Sequence, residues 1–292
     1  MEQRLANKVV VVTGGSRGIG KAIVLAAVRE GACVVVAARD EADLVKVVHK
    51  DIGRIDRQLS AMSIDVANEG QVKMLFEETM SCYGQVDVLV NAAGVYGPIG
   101  PTWLADPYDW LKAIRVNLFG TFLCCREALR YMVPAKEGRV INFSGGGATS
   151  PLPMFSAYGA SKAAVVRLTE TLAQELVPFN IQVNAVAPGM VDTDLQNLVL
   201  SAHEAAGPLY DKVKQMRETG QGGTPIELVA ELVVRLAAGQ MYGLSGKLVS
   251  VPHDGWRDWS KEDVDDMMSL PHLTLRRLDE NTWNEWRPWL EE

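Results

Sequence analysis

The sequence predicts a doubly wound α/β fold: a parallel sheet of seven strands with helices on both faces. Three observations carry this expectation. Strand-length apolar runs alternate along the chain with helix-length periodic segments. The runs Val9-Val10-Val11-Val12 and Cys33–Ala38 are apolar at every position, as strands covered on both sides must be. The first run passes through a glycine-rich turn straight into a helical segment, the βα step from which such sheets are wound.

Each element follows in order. Residues 8–13 are a valine run ending in glycines, and 19–29 have helical spacing up to Gly31. Residues 33–38 form a second strand, 41–50 a weak helix and 58–64 an alternating strand before Asp65. Val72, Leu75, Phe76, Met80 and Tyr83 give 69–83 a helical stripe. A strand over 86–91 precedes a long helix over 106–133, in which Pro107 suits the first helical position. A strand over 139–144, a helix over 157–177 and a strand over 182–187 continue the alternation. Thr224-Pro225-Ile226-Glu227 has the spacing of a capping box and opens a helix to 238. Residues 247–251 are the last strand. No linker rich in Pro or Gly divides residues 1–252, which read as one domain.

The composition narrows the function. Of 292 residues, 48% are hydrophobic and 22% charged, close to an ordinary globular chain. No apolar run reaches the ~20 residues of a membrane helix, and the polar start at residues 1–8 lacks a signal-peptide core, so a cytoplasmic, membrane-free protein is expected. A net charge of −7 argues against nucleic-acid binding, which needs a basic stripe. Cys33, Cys82, Cys124 and Cys125 form no CxxC pair and read as buried free thiols in a reducing compartment. The four histidines are scattered without metal-ligand spacing, so no metal is expected. Residues 253–292 stand apart as an extension. They hold 11 acidic and 5 basic residues and five of the seven tryptophans, and so much aromatic surface is rarely left exposed. The extension is expected to dock on the domain or on a neighbouring subunit.

The turn Gly14-Gly15-Ser16-Arg17-Gly18-Ile19-Gly20 lies between a strand and a helix. There the glycines admit close approach of a pyrophosphate, and the free N–H groups and dipole of the helix N-terminus favour its charge. No Lys-Ser/Thr follows the glycines, which excludes a triphosphate P-loop. Tyr158 and Lys162 are four residues apart and share a helix face. A phenol of pKa ~10 is a poor acid–base catalyst at neutral pH, and a neighbouring ammonium favours its phenolate.

Taken together, these motifs resemble the short-chain dehydrogenase/reductase family, with its Rossmann-like fold. Thr13–Gly20 is similar to the opening TGxxxGxG, Asn91-Ala92-Ala93-Gly94 to its NAG motif, and Tyr158–Lys162 to YxxxK, with Ser144 14 residues upstream. Asn117 lies in the long helix where the family keeps a fourth catalytic residue, and Pro188–Thr193 is similar to its PGxVxT turn. The resemblance spans residues 5–251. It implies that Tyr158 exchanges a proton with the substrate oxygen, Lys162 lowers the tyrosine pKa and binds the nicotinamide ribose, Ser144 aligns the substrate, and Asn117 holds a water of a proton relay. It also implies cofactor contacts from Gly14, Ser16, Arg17, Gly18, Ile19, Gly20, Asp65, Val66, Asn91, Ala92, Gly94, Pro188, Gly189, Val191 and Thr193. Asp65 and Val66 bracket the adenine, Asn91 fixes sheet and pocket, and Val191 and Thr193 contact the carboxamide.

An acidic residue at the tip of the second strand selects NAD, whereas an Arg nearby accommodates the NADP phosphate. Here Ala38 stands at that tip, Arg39 follows it and Arg17 projects from the glycine turn. NADP(H) is therefore the expected cofactor, with NAD(H) left open through Asp40. The expected partner is a small ketone, aldehyde or alcohol, and by resemblance a homodimer or homotetramer. The alternative is an NADP-binding sensor or scaffold without turnover, and the intact Ser144, Tyr158 and Lys162 set counts against it. Substrate loops are expected at 145–156 and 195–223, the second folding down as an apolar lid. The sequence leaves the substrate itself open.

Overall fold

Alternate residues of each central strand face opposite helical layers. In the computed structural model, which describes residues 3–47, 58–270 and 272–275, β1 (Val9–Thr13) sends Val10 and Val12 into one core cluster and Val11 into the other. That period of two, with apolar residues in both sets, is what a doubly covered strand requires. The first layer is built by α1 (Gly18–Arg29) and α9 (Ile226–Ala237). The second is built by α3 (Glu69–Tyr83) and α5 (Gly120–Ala135).

All seven strands are parallel, in the order β3-β2-β1-β4-β5-β6-β7. The remaining strands are β2 (Cys33–Ala38), β3 (Leu59–Ser63), β4 (Val88–Asn91), β5 (Gly138–Phe143), β6 (Ile181–Ala187) and β7 (Leu248–Ser250). The winding reverses between β1 and β4, and a crevice opens there at the carboxyl ends of the strands. Helix α2 runs over Glu41–Lys46, and residues 48–50 of the expected 41–50 span lie outside the described residues.

Two expectations need correction. The helix over 106–133 is three pieces: α4 (Pro107–Ile114), a π-helical turn (Arg115–Phe119) and α5. Asp106 caps α4 through the N–H groups of Tyr108 and Asp109, both at 2.9 Å. The π turn widens the helix at Asn117, and Thr121 Oγ1 donates to the Asn117 carbonyl at 2.8 Å. The second correction is the capping box. Pro225, not Thr224, is the N-cap of α9, in extended conformation (ψ 131°) and with no side-chain cap bond. Thr224 is one residue too early, and its N–H donates to the Met190 carbonyl at 2.7 Å. A capping box does form at Ser260 and Asp263, opening α10 (Lys261–Ser269).

Helix α6 (Ser156–Glu175) lies on β5 and β6. Past β6, α7 (Asp194–Ala202) and α8 (Pro208–Thr219) form a lid. The four cysteines are free thiols, with Cys124 and Cys125 buried. Cys33 is half-buried, and Cys82 is exposed in the last turn of α3, beyond that helix's buried stripe. Among the described residues, no helix is long and apolar enough to cross a membrane. Of the extension, Trp256 is 3% exposed and packs with Val264 on the α1/α9 side of the core. Trp283, Trp286 and Trp289 lie outside the described residues.

Candidate active site

At the crevice a cleft of about 580 Å³ runs from the glycine turn to the lid. Gly14 and Gly20 make the approach possible. Gly14 has φ +66°, and a Cβ there would stand 2.7 Å from the Ala93 backbone. A Cβ on Gly20 would stand 2.2 Å from the Gly14 carbonyl oxygen. Arg17 precedes α1 without a side-chain cap bond, so the N-terminal turn of that helix presents its N–H groups to the cleft.

Most predicted contacts line this one cleft: the turn residues Gly14, Ser16, Arg17, Gly18, Ile19 and Gly20, then Arg39, then Asp65 and Val66, then Ala92, Gly94 and Thr193. Other predicted contacts do not. Asn91 is buried between strands, donating from Nδ2 to Asn142 Oδ1 at 2.9 Å and to Cys125 Sγ at 3.4 Å. Val191 is 3% exposed and belongs to the α1/α9 core; Pro188 is buried, and exposed Gly189 faces Thr224 and Pro252. Leu195 and Leu198, on the first turns of α7, line the cleft unannounced. Their helical spacing is visible in the sequence, but the direction of the helix is not.

At the adenine end Arg17 and Arg39 both line the cleft, and neither guanidinium makes a hydrogen bond or ion pair among the described residues. The Asp40 carboxylate is committed to capping α2, where it accepts the Asp43 N–H at 3.0 Å.

At the other end, α6 presents Tyr158 and Lys162 to the carboxyl end of β5. Lys162 Nζ donates to the Phe143 carbonyl at 2.7 Å. A Cβ on Gly145 would stand 2.2 Å from the Tyr158 hydroxyl oxygen, so the chain at 143–145 is pressed against both side chains. Ser144 lies between these contacts, 2% exposed, and its Oγ has no hydrogen-bond partner among the described residues. A buried hydroxyl without a partner is costly in a finished core, and this one fits a site completed by a ligand oxygen.

The wide turn at Asn117 serves this corner. Its Nδ2 donates to the Val95 carbonyl at 2.8 Å and to Ser161 Oγ at 2.9 Å, and its Oδ1 accepts the Val95 N–H at 2.8 Å. Both amide protons are thereby committed. A Cβ on Gly94 would lie 3.5 Å from both Asn117 Oδ1 and Lys162 Nζ, so both groups approach the NAG glycine.

Burial dominates the electrostatics. It pushes the Lys162 ammonium down to about 8 and the Tyr158 phenol well above its usual value, with Tyr96 adding to the latter. Lys162 Nζ is 5.7 Å from the centre of the Tyr158 ring and is held by Phe143, so the expected lowering of the tyrosine pKa is outweighed here. Tyr96, which sequence reasoning missed, packs edge-on against Tyr158 with ring centres 4.8 Å apart. A lone aromatic two residues after a glycine motif gives no signal of that contact.

A sequence model of the short-chain dehydrogenases matches residues 8–204. A short-chain type dehydrogenase/reductase of Picea abies is 37% identical, covering 85% of this chain and 92% of its own. A 3-oxoacyl-(acyl-carrier-protein) reductase FabG of Thermotoga maritima is 34% identical, covering 84% and 99%. Among solved structures, an NAD+-bound xylitol dehydrogenase is 25% identical with a TM-score of 0.77, covering 84% of this chain and 98% of that one.

Proposed function

The chain belongs to the short-chain dehydrogenase family, and on that premise we propose an NADP(H)-dependent oxidoreductase that interconverts a ketone or aldehyde with an alcohol. Membership makes the protein an oxidoreductase of carbonyl and CH–OH groups that uses a nicotinamide cofactor. The finer reading rests above all on Ser144. Its buried hydroxyl, without a hydrogen-bond partner among the described residues, is next in the chain to Gly145, which abuts the Tyr158 hydroxyl.

A nicotinamide bound at this end of the cleft would supply or accept the hydride. In the reducing direction Ser144 donates to the carbonyl oxygen and aligns it, and Tyr158 delivers its proton to the same oxygen as the carbon becomes tetrahedral. A Tyr158 phenol held protonated by burial suits that donation. Lys162, held by Phe143, fixes the charge beside it and faces the ribose. At the far end Arg17 and Arg39 take the 2′-phosphate, for which two guanidiniums unpaired among the described residues are well matched.

The protein is read as a cytoplasmic homodimer or homotetramer. Supporting the assembly, Trp103 and Tyr108, near and on α4, are each 83% exposed, and Phe119 and Phe122 are 40% exposed. Consumption of NADPH with a panel of ketones, and reduction of NADP with the matching alcohols, tests the activity. An NADPH-binding protein that turns over none of them, with Tyr158→Phe no different from wild type, overturns it.

A further inference from the structure

We propose that the substrate is an uncharged, largely apolar ketone or its secondary alcohol, and that keto acids, phosphorylated ketones and polyhydroxy ketones are disfavoured by the uncharged, apolar surroundings of Tyr158. This inference rests on the reading of Ser144 and Tyr158 given above.

The cofactor cleft occupies one side of the catalytic corner. On the other side Tyr158 belongs to a separate apolar cluster centred on Tyr96, Phe155, Val199 and Met216, with Leu152 and Met154 packed against it. A substrate whose oxygen reaches Ser144 and Tyr158 lays its carbon skeleton against the half-buried side chains that pack on this cluster, Ile99, Leu152, Met154, Leu195 and Tyr210. Three segments carry these side chains. Residues 91–101 and 143–161 contain no Asp, Glu, Lys, Arg or His. The third segment is the lid, and every charged residue in it, from Asp194 to Glu218, is exposed. Lys162 is the one cation at this corner among the described residues, and it is held by Phe143.

The polar groups that do face inward are occupied. Tyr96 Oη donates to Gln196 Oε1 at 3.3 Å, and Gln196 Nε2 donates to the Val191 carbonyl at 3.3 Å. A carboxylate or phosphate would enter without a cation to meet it, and an unpaired buried charge is strongly disfavoured. A row of hydroxyls would lose water without finding partners. The outer face of the lid intersperses Lys212, Lys214 and Arg217 with Asp211 and Glu218, so it offers no basic patch for an acidic carrier.

The test uses pairs that share a skeleton and differ in polarity: 2-octanone against 7-oxooctanoate, and cyclopentanone against a pentulose. With the full chain and NADPH, kcat/KM for each neutral apolar ketone is expected to exceed that of its polar partner at least ~100-fold, the discrimination one unpaired buried polar group supports. Binding is measured in parallel by calorimetry on the Tyr158→Phe protein with NADPH, which holds ligand without turnover. There 2-octanone should bind and 7-oxooctanoate should bind at least ~100-fold more weakly. Equal or tighter binding of the carboxylate or the sugar overturns the inference. Absent turnover with every ketone overturns the catalytic reading alone, because the binding comparison still decides the substrate class.

Discussion

Lys162 Nζ donates to the Phe143 carbonyl at 2.7 Å, and through that bond helix α6 is fastened to the end of β5. The bond places a buried ammonium at the strand end that carries Ser144, where its burial costs stability and the proposed chemistry uses it. A site of this kind trades stability for chemistry.

The trade has a pH signature. Burial lowers the Lys162 pKa from 10.5 to about 8, so the unfolded chain binds more protons than the native one between those values. Stability of the cofactor-free protein should therefore rise with pH across that window. The penalty is full below pH ~8 and, at 1.36 kcal/mol per pKa unit, amounts to roughly 3 kcal/mol. Above pH ~10 the raised Tyr158 pKa reverses the trend, because the unfolded tyrosine ionises first. Lys162→Met should melt at or above wild type at pH 7, lose more than half of any such advantage by pH 9.5, and have no measurable turnover. A variant that melts several degrees lower at pH 7 refutes the assignment of cost.

Gly145 is predicted to be as sensitive as Tyr158 itself. Its Cβ would fall 2.2 Å from the Tyr158 hydroxyl, so Gly145→Ala must displace the phenol from Ser144. Tyr158→Phe should reduce turnover by at least ~10²-fold with NADPH binding retained, the lower range for general acid–base catalysis. Gly145→Ala should fall by a similar factor. The double variant should be scarcely worse than either, since both remove one interaction. Multiplying losses in steady-state kinetics would separate Gly145 from Tyr158.

The parts of this arrangement that local periodicity encodes are readable in the sequence. The valine runs announce doubly covered strands, and the four-residue spacing of Tyr158 and Lys162 announces a shared face. The π turn at Arg115–Phe119 is not readable, because the apolar stripe continues through it and its cause is tertiary: Asn117 is drawn to the Val95 backbone. The cap of α9 is misplaced by one residue because Pro225 takes the extended N-cap conformation and Thr224 is claimed by Met190. Asn91 shares a motif with cleft residues yet faces Asn142, and only the strand's alternation decides that. The contact of Tyr96 with Tyr158 joins residues 62 positions apart, beyond any local pattern.

The proposed preference for NADPH is tested at Arg39, one of two cleft guanidiniums that make no hydrogen bond or ion pair among the described residues. Losing one charge-assisted contact to the phosphate costs ~1.5–3 kcal/mol. Arg39→Ala should therefore weaken NADPH binding by about 10- to 150-fold at 1.4 kcal/mol per decade and leave NADH almost unchanged. Calorimetry on wild type and variant checks this. Equal affinities of the wild type for NADH and NADPH refute it.

The extension beyond residue 253 is expected to act as a brace on the open edge of the sheet. Strand β7 pairs only with β6 in the sheet, and an unprotected edge strand invites self-association. The chain returns along that edge: Leu248 N–H donates to the Leu273 carbonyl at 2.7 Å, and Lys247 Nζ donates to the Leu270 and His272 carbonyls at 2.8 and 3.1 Å. Trp256 anchors the return. It is 3% exposed, donates from Nε1 to the Val251 carbonyl at 3.1 Å, and lies between the guanidiniums of Arg235 and Arg257 at 5.5 and 5.3 Å. Trp256→Ala should cost ~3–5 kcal/mol, as large buried aromatics do, lowering Tm by at least ~6 °C in a chain of this size. Trp256→Phe, which keeps the ring, should lose much less. Truncation after Gly255 removes the brace entirely and should lower Tm further and raise the particle mass seen by light scattering. NADPH affinity should hold in the soluble fraction, because the cleft opens between β1 and β4 and not at the β7 edge. Unchanged melting in both Trp256→Ala and the truncated chain would show that the edge needs no brace.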